Sequence, residues 1–569
     1  MRPRLPASVA AAQRQALASW RFRDGTRRLL ERDATLWTGG DEARWLGWLD
    51  APSAAGADLP LWSELAADAR TGGFRHALVL GMGGSSLAPE VQRAALPRGP
   101  GHPELLVLDS IHPDQVAAVE RRIDPAATLV VVASKSGSTL EPNLLMERFF
   151  EVLSGALGAA RAAQRFVAIT DPGSALERLA RARGFRRVVP GEPSIGGRFS
   201  ALSPFGLVPA ALQGIPVDEW LARAAALAAA CRADDARHNP GVALGLLLVA
   251  GVACGRDKLT LVAHPALAPL GAWLEQLVAE STGKDGRAVL PFEGEPLAAP
   301  EAYGADRLFV ALRLGGALGE GDEARLDALV AAGHPVAEID VASPLDLGAE
   351  FYRWEFATAV AGAELGVHPF DQPDVESAKL EARRLAEEVE RTGALPVEVP
   401  FWTGDGCALF APEEQAKVIL AGAGRRPGPG EILHAHFDRL RPADYAALLL
   451  FCPMSEENVA AARRLRTAVR GARQVATSVG FGPRYLHSTG QAHKGGPDRG
   501  VFLMVTDEPA ADLAVPDQRL TLGQALAAQA RGDAEVLARR GRRVLRVHLP
   551  GPAAGHLPAL VAAVEAKFR

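Results

Sequence analysis

Cysteine is scarce in this chain of 569 residues. The four cysteines, Cys231, Cys254, Cys407 and Cys452, lie far apart, and no pair has the Cys-x-x-Cys spacing. Zinc sites and disulfide frameworks need clustered or regularly spaced cysteines, so the sequence supports neither. We therefore expect no metal ion, and a reducing, cytoplasmic environment fits the sequence best.

Excess charge and long apolar runs are also missing. The net charge is −5 with no block of like charge, so we expect neither nucleic acid nor an anionic membrane as a partner. The longest apolar run, at 242–254, is too short to cross a bilayer and predicts a buried helix. The basic N-terminus lacks the apolar core of a secretory signal. Val9, Leu17 and Trp20, at helical spacing, favour an amphipathic helix over a transit peptide.

Short apolar runs alternate with helix-length segments from about residue 75 onward. HALVLGMGG, ELLVLDS, TLVVVASKSG and RFVAITDPG form one series, and KLTLVAHP, RLFVALRLGG and PVAEIDVASP form a second. This alternation predicts parallel sheets with crossover helices, and the two series look like two copies of one architecture. We predict an α/β fold in four parts: a helical segment at 1–74, a first domain at 75–215, a helical connection and second domain at 216–400, and a C-terminal α/β extension at 401–569.

The stretch VVVASKSGSTLEPN places many hydrogen-bonding groups at the end of a strand. Ser134, Lys135, Ser136, Ser138 and Thr139 follow the buried run, and a helix should begin at about Thr139. A helix N-terminus has unpaired N–H groups and positive partial charge, which suit an anion. A cap needs one hydroxyl and this loop has four, so we predict a phosphate cradle. Lys135 either adds a cation to the cradle or faces solvent.

LGMGGSSLAPE at 80–90 is the first strand-to-helix turn. Its glycines allow a ligand to approach closely, and a sugar could lie against the backbone of Gly83, Gly84 and Ser85. The spacing is not Gly-x-Gly-x-x-Gly, and the first acid at a strand end, Asp109, is too distant for a ribose-binding residue. A dinucleotide site is therefore only weakly indicated.

These two loops, in this order, resemble those of the sugar-isomerase (SIS) domain. Three further stretches are similar to motifs of the glucose-6-phosphate isomerase family: SIGGRFSALSP at 194–204, VAESTGKDGR at 278–287 and HPFDQPDVESAK at 368–379. The N-terminal DATLWTGGDEARWLGWLD and the C-terminal region look most like the isomerase portion of bacterial transaldolase–isomerase fusions. The resemblance implies two SIS-type parallel-sheet α/β sandwich domains plus the extension, and a sugar phosphate as substrate without a cofactor.

The resemblance also implies roles for single residues in an aldose–ketose isomerisation through an enediolate. Glu280 matches the family's base, and it ends a predicted apolar helix that would desolvate its carboxylate. Arg198 matches the arginine that would stabilise the enediolate charge. Lys379 matches the family lysine that works at the ring oxygen. Without the resemblance, Glu280 would be read as readily as an exposed acid before a Gly turn, and the alternative for Arg198 is a surface arginine beside a turn. Lys379 alone would be read as a solvated helix lysine.

The ring-opening histidine of the family lies between the base and the lysine, but that interval here contains only His334 and His368. Neither stands where the family places this histidine. Beyond the lysine, LHSTGQ resembles the family segment around it, so we predict that His487 opens the ring. His493 and Lys494 are rivals, and a polar surface loop is the other interpretation. In the family this histidine comes from the neighbouring subunit of a dimer.

We therefore predict an enzyme that interconverts glucose 6-phosphate and fructose 6-phosphate. Three alternatives stay open: an isomerase of another sugar phosphate (mannose or an amino sugar), a sugar-phosphate-binding regulator without catalysis, and a dinucleotide-dependent enzyme. Glu280 together with Arg198 argues against the regulator, which needs the cradle but no base. A homodimer and a separate transaldolase are the protein partners to consider.

Overall fold

Three β-sheets organise the chain in a computed structural model that describes residues 1–233, 235 and 237–568. The first sheet has five parallel strands, which run in space as second, first, third, fourth and fifth along the chain. Every residue of its central strand is buried, as a parallel sheet covered by helices on both faces requires. Its strands are His76–Leu80, Glu104–Leu108, Thr128–Ala133, Phe166–Thr170 and Arg187–Pro190.

The second sheet repeats the same order over four parallel strands. Those strands are Lys258–Ala263, Leu290–Phe292, Arg307–Leu314 and Val336–Val341. A fifth strand, Arg2–Arg4, pairs antiparallel with the last of them. The sequence predicted only helix in this N-terminal segment, which was wrong here. The triplet is polar and is held partly by long-range ion pairs, such as Arg4 with Asp327, that no local pattern reveals.

The third sheet again places four parallel strands in this order, and two antiparallel strands extend its edge. The parallel strands are Tyr445–Phe451, Ala476–Phe481, Gly500–Thr506 and Arg543–His548, and the edge strands are Trp402–Gly404 and Cys407–Phe410. The sequence suggested two copies of one architecture. The structure contains three sheets with a common parallel order, so the C-terminal extension has the same kind of sheet.

Helices cover the faces of the sheets, and the apolar run at 242–254 falls in a buried helix as predicted. None of the helices in the described part of the chain is long and apolar enough to cross a membrane. Before the second sheet the α-helices are Ala7–Phe22, Gly25–Leu30, Ala51–Ala57, Leu59–Thr71, Leu87–Ala95, Pro113–Arg122, Leu140–Leu157, Ala159–Ala163, Ala175–Arg183, Pro204–Gln213, Val217–Ala230 and Pro240–Ala253. After it begins they are Leu270–Thr282, Asp322–Ala331, Leu347–Leu365, Pro373–Thr392, Glu413–Ala423, Pro429–Phe437, Glu456–Arg473, Gly490–Gly495, Leu522–Arg539 and Ala553–Phe568.

Buried polar pairs fasten the third sheet to the first. Arg484 donates two hydrogen bonds, 2.7 and 3.0 Å long, to the carboxylate of Asp109, which follows the second strand of the first sheet. Close by in sequence, His112 Nε2 lies 2.9 Å from Asp507 Oδ1, and neither side chain is exposed. A buried ion pair is costly to break by removing one partner, because the other charge is left without a counterion. These contacts fix the segment that follows Arg484 against the first sheet.

Glu355 is an isolated acid in the core. It lies on the helix Leu347–Leu365, it is not exposed to solvent, and neither carboxyl oxygen has a hydrogen-bond partner among the described residues. Burial raises the pKa of this carboxyl well above its ordinary value. The native chain therefore holds a proton that the unfolded chain releases at a lower pH.

Replacing Glu355 with Gln should remove a pH-dependent component of stability. The raised pKa means that the unfolded chain binds fewer protons above its own pKa of about 4.5. The free energy of unfolding of the native sequence should therefore fall as pH rises from there towards the folded pKa, by up to about 1.4 kcal/mol per pH unit, and the Gln variant should lack this fall. Urea denaturation between pH 5 and pH 8 measures the difference. Exposed Glu387→Gln is the control, and a profile of Glu355→Gln parallel to the native one would contradict the prediction.

Candidate active site

A cleft of about 460 Å³ lies at the carboxyl edge of the first sheet. The strand order reverses between the first and third strands there, and ligands of open α/β sheets bind at such a switch point. The loops that follow those two strands form one side of the cleft. Every residue predicted for the site lines it except Ser138. Residues from all three sheet regions meet there: the cleft also includes Glu280 and His487.

Glu280 and Arg198 face each other in this cleft. Glu280 lies near the end of the helix Leu270–Thr282, and its Oε1 is 3.2 Å from the guanidinium NH1 of Arg198. Both side chains are buried, with relative exposures of 3% for Arg198 and 10% for Glu280. Gln276, one helical turn earlier, donates to the other carboxylate oxygen at 3.0 Å. The predicted apolar surroundings of Glu280 are therefore supplemented by two donors that hold its carboxylate in one orientation.

Arg198 is fixed on several sides. Its Nε donates to Ser281 at 2.8 Å, and its NH2 donates to the carbonyls of Pro369 and Asp371 at 2.7 and 2.8 Å. Burial lowers the pKa of the Arg198 guanidinium, while the charges of Glu280 and Asp371 act in the opposite direction. With its donors committed and its position rigid, Arg198 offers a positive charge that does not have to reorganise when negative charge develops beside it.

Gly84 has a structural role that the sequence did not reveal. A Cβ on Gly84 would lie 1.8 Å from the carbonyl oxygen of Gly197, so the two glycine turns are in backbone contact. The turn that contains Gly84 therefore supports the residue before Arg198. Gly83 has φ +55°, where side chains are disfavoured, and a Cβ there would meet Gln276 and His487.

The serine-rich loop lies at the start of the helix Leu140–Leu157. Ser134 has a buried hydroxyl oxygen without a hydrogen-bond partner among the described residues, and Ser136 and Ser138 pair with each other at 2.7 Å. Thr139 takes the N-cap position, yet its hydroxyl makes no capping bond. Hydroxyls that do not serve the helix remain free for a ligand, as an anion cradle requires.

Lys135 points away from these hydroxyls. Its ammonium lies 2.7 Å from Asp171 and donates to the carbonyls of Glu192 and Pro193 at 3.1 and 3.2 Å. The sequence left two roles for Lys135, a cation for the cradle or a solvent-facing residue. The structure gives a third arrangement, an ion pair at the rim of the cleft, so its charge is shared with Asp171.

His487 reaches the cleft from the C-terminal region of the same chain. It ends the short turn Arg484–His487, its carbonyl accepts a 2.7 Å hydrogen bond from Gln276, and its Nε2 lies 2.9 Å from Glu141 Oε1. Burial alone would raise the pKa of the Glu141 carboxyl, yet His487 and a hydrogen bond from Gln529 hold that pKa below its ordinary value. An ionised Glu141 favours a proton on Nε2, and Nδ1 has no partner among the described residues.

The rival side chains lie elsewhere. His493 is buried against Tyr445, and burial, with Lys494 and Arg542 nearby, lowers the pKa of its imidazole to about 3. Lys494 is also buried, 2.5 Å from Asp533. Neither lines the cleft. His334 is buried beside the second sheet, at the turn before its last strand.

Lys379 and His368 lie on different sides of the cleft boundary. Lys379 lies on the helix Pro373–Thr392 at the edge of the cleft, 45% exposed, and within the described residues its ammonium is paired only with Glu376, at 3.8 Å. His368 is held away from the cleft by Asp41 at 2.9 Å. Of the two, only Lys379 lines the cleft, where it can contact a bound molecule.

Sequence reasoning missed Gln276, Glu141 and Gln372 as site residues. Gln276 bonds both Glu280 and the carbonyl of His487, Glu141 bonds His487, and Gln372 accepts from Arg198 at 3.1 Å. Local signals existed: Gln276 is four residues before Glu280, and Glu141 and Gln372 stand inside the quoted loop and motif. The sequence does not show the long-range hydrogen bonds, such as Gln276 to His487 and Glu141 to His487, that bring these residues into the site.

Comparisons with known proteins agree on one family. A family model described as phosphoglucose isomerase matches residues 66–289. The chain is 34% identical over 365 residues to a glucose-6-phosphate isomerase of Rubrobacter xylanophilus, covering 56% of this chain and 83% of that protein. It is 38% identical over 225 residues to the enzyme of a Cyanothece strain, with 38% of this chain and 41% of that protein covered. The chain thus spans most of the first relative and about two fifths of the second.

Solved structures share the architecture. A hypothetical protein from Thermus thermophilus superimposes with a TM-score of 0.58 at 27% identity, covering 67% of this chain and 99% of that one. A glucose-6-phosphate isomerase from Chlamydia trachomatis gives a TM-score of 0.53 at 24% identity, covering 59% of this chain and 74% of that one, and shows a common fold. The fold is the α/β, SIS-type fold expected from the sequence.

Substituting Gly84 with Ala should destabilise the protein. The added Cβ would overlap the Gly197 carbonyl, and backbone on both sides must shift, which costs on the order of 1–3 kcal/mol or more of unfolding free energy. Gly196→Ala is the matched control, because its φ is −68° and a Cβ there meets nothing within 4 Å. Urea denaturation should show a lower midpoint for Gly84→Ala and an unchanged or higher one for Gly196→Ala. Equal midpoints would show that the glycine contact is not tight.

Proposed function

The chain belongs to the glucose-6-phosphate isomerase family, and we propose that the cleft between Glu280, Arg198 and His487 is where it interconverts glucose 6-phosphate and fructose 6-phosphate. The observation that carries this proposal is the Glu280 carboxylate 3.2 Å from the Arg198 guanidinium at the floor of a polar cleft. A base and a fixed cation within reach of one bound carbon skeleton are what an enediolate mechanism needs.

Glu280 moves the proton. Its carboxylate takes the C2 proton of the open-chain aldose, which leaves an enediolate, and then returns a proton to C1 to give the ketose. The two oxygens are held by Arg198 and Gln276, so the carboxylate is positioned before substrate arrives. The negative charge that forms on the enediolate oxygens is stabilised by Arg198, whose guanidinium is buried and rigid.

The serine-rich loop holds the phosphate. Ser134, Ser136 and Thr139 line the cleft, and the following helix directs its N-terminal N–H groups and positive partial charge towards them. Ser138 supports the cradle through its bond to Ser136. Lys135, shared with Asp171, contributes positive charge at the rim. Gly83, Gly84 and Ser85 form the wall against which the sugar lies.

His487 opens the sugar ring. Its Nε2–H is directed to Glu141, so Nδ1 is left as the atom that exchanges a proton with the ring oxygen or the adjacent hydroxyl. Lys379, at the edge of the cleft, helps at the ring oxygen. Ring opening by His487 and proton transfer by Glu280 are coupled in space through Gln276, which bonds both segments.

The site takes its histidine from its own chain. A homodimer stays a prediction, and it is not needed to supply His487, because the C-terminal region already brings this residue to the cleft. Association with a separate transaldolase and a cytoplasmic location also stay predictions from the sequence. Among the alternatives, a regulator would need the cradle without the buried Glu280–Arg198 pair, so the isomerase is favoured.

Glu280→Gln should abolish turnover while leaving ligand binding intact. The amide keeps the shape and accepts the contact with Arg198, but it cannot accept the C2 proton. We expect kcat with fructose 6-phosphate to fall by roughly a thousandfold or more, measured in an assay coupled to the formation of glucose 6-phosphate. Affinity for inorganic phosphate, measured by calorimetry, serves as the control and should change little. A variant that keeps more than a tenth of the native turnover would remove Glu280 from the mechanism.

His487→Ala should separate ring opening from proton transfer. We expect slow turnover of cyclic glucose 6-phosphate, by about 10²–10⁴-fold as for loss of a general acid–base group, and nearly normal turnover of a shorter aldose phosphate that cannot close a ring. Glu141→Gln is the matched variant, because it disturbs the histidine without removing it, and it should show the same pattern more weakly. Equal loss on both substrates would assign His487 to the proton transfer or the fold, and no loss on either would assign it to the surface.

A further inference from the structure

A second cavity, of about 410 Å³, lies against the helix that carries Glu280. It shares no lining residue with the catalytic cleft. The second strand of the second sheet is followed by Glu293, and the second strand of the third sheet ends at Phe481; both residues line the cavity. The crossover helix Glu456–Arg473 closes another side. The cavity is thus built where the sheets meet.

Two carboxylates face this cavity without partners. Glu275 is 8% exposed, and its side chain makes no hydrogen bond or ion pair among the described residues. The side chain of Glu293 is likewise unpaired there. Burial, reinforced by the charge of Glu293, raises the pKa of Glu275 well above its ordinary value, and burial also raises the pKa of Glu293. The fold therefore places two acids at this cavity without a hydrogen bond or ion pair to either side chain among the described residues.

Two of the three arginines that line the cavity are already engaged by other groups. Arg466 donates to the backbone carbonyl of Glu293 at 3.0 Å and to Thr477, and Arg484 is held by Asp109. They weaken the effect of burial on the two acids but do not form ion pairs with them. Arg463 lies exposed on the rim. The acids therefore keep acceptor capacity directed into the cavity.

We propose that this cavity binds a small organic cation, an ammonium or amidinium group on an apolar body, with the positive group between Glu275 and Glu293. The other walls suit the apolar body, because Leu87, Val479 and Phe481 line them, and an aromatic ring also stabilises a cation. A bound cation would give both carboxyls the partner that they lack among the described residues.

The position of the cavity links it to both halves of the catalytic machinery. Glu275 precedes Gln276 on the helix that carries Glu280, and Tyr485 and Ser488 flank His487. An occupant would therefore contact residues next to those that hold the proposed base, Glu280, and the proposed ring-opening residue, His487. The binding inference itself rests on the cavity and its acids and does not depend on the proposed reaction.

Benzamidine, which stays charged near neutral pH, tests the proposal against benzamide, its neutral isostere. Calorimetry on the whole chain should show benzamidine binding at least about tenfold more tightly than benzamide, because a charge-assisted hydrogen bond is lost in the amide. Glu275→Gln should remove the difference. Because burial favours the protonated form of both acids, and Arg463, Arg466 and Arg484 stay charged throughout, benzamidine affinity measured from pH 5 to pH 8 should rise with pH, by up to about tenfold per pH unit.

Glu280→Gln is the control for binding in the catalytic cleft. Benzamidine affinity unchanged in Glu280→Gln and lost in Glu275→Gln would support the proposal. The reverse pattern, equal affinities for benzamidine and benzamide, or no binding of either compound would overturn it. Far-ultraviolet circular dichroism and the urea midpoint of Glu275→Gln establish that the variant is folded. If it is not, the pH dependence of benzamidine binding to the native chain decides, and a flat profile contradicts the proposal.

Discussion

The ion pair between Asp109 and Arg484 is the contact on which the rest of the site depends. Asp109 is 1% exposed, at the end of an edge strand in the first sheet, and Arg484 binds it through two nitrogens. A paired geometry of this kind fixes direction as well as distance. Three residues later the same segment presents His487 to the cleft, so the position of the imidazole is set by a contact outside the cleft. Removing one partner would leave a buried charge alone, which typically costs about 3–5 kcal/mol.

Each of the three sheet regions contributes different residues to the cleft. The first sheet supplies the serine-rich loop, which we propose binds the phosphate, and the glycine turn; the helix beside the second supplies Glu280, and the segment after a strand of the third supplies His487. Gln276 joins these parts, since one side-chain amide donates to Glu280 and to the backbone of His487. The repeated strand order explains how this is possible, because each sheet gathers its loops at one carboxyl edge.

Much of this arrangement could be predicted from the sequence, because apolar runs that end in small polar residues mark buried parallel strands whatever surrounds them. The strands Thr128–Ala133 and Phe166–Thr170 are of this kind. The strand Arg2–Arg4 could not be found, because its partners lie more than 300 residues away and its residues are polar. The ion pairs of Lys135 with Asp171 and of Glu141 with His487 could not be predicted either, because the two residues of each pair are distant in sequence. Local sequence shows which residue types follow a strand, whereas the hydrogen-bond and ion-pair partners of those residues are set by the tertiary fold.

The route by which His487 arrives has an evolutionary consequence. Glu280 and Arg198, the proposed proton-transfer pair, and His487, the proposed ring-opening residue, stand on parts of the chain that are joined by a few buried contacts. One of these contacts, Asp109 with Arg484, lies apart from both. Substitutions that loosen this joint would be felt by substrates that circulate as closed rings and hardly at all by open-chain ones. On the proposed mechanism, sequence change in the C-terminal region would therefore alter how fast ring-closed sugars are turned over without changing the proton-transfer step.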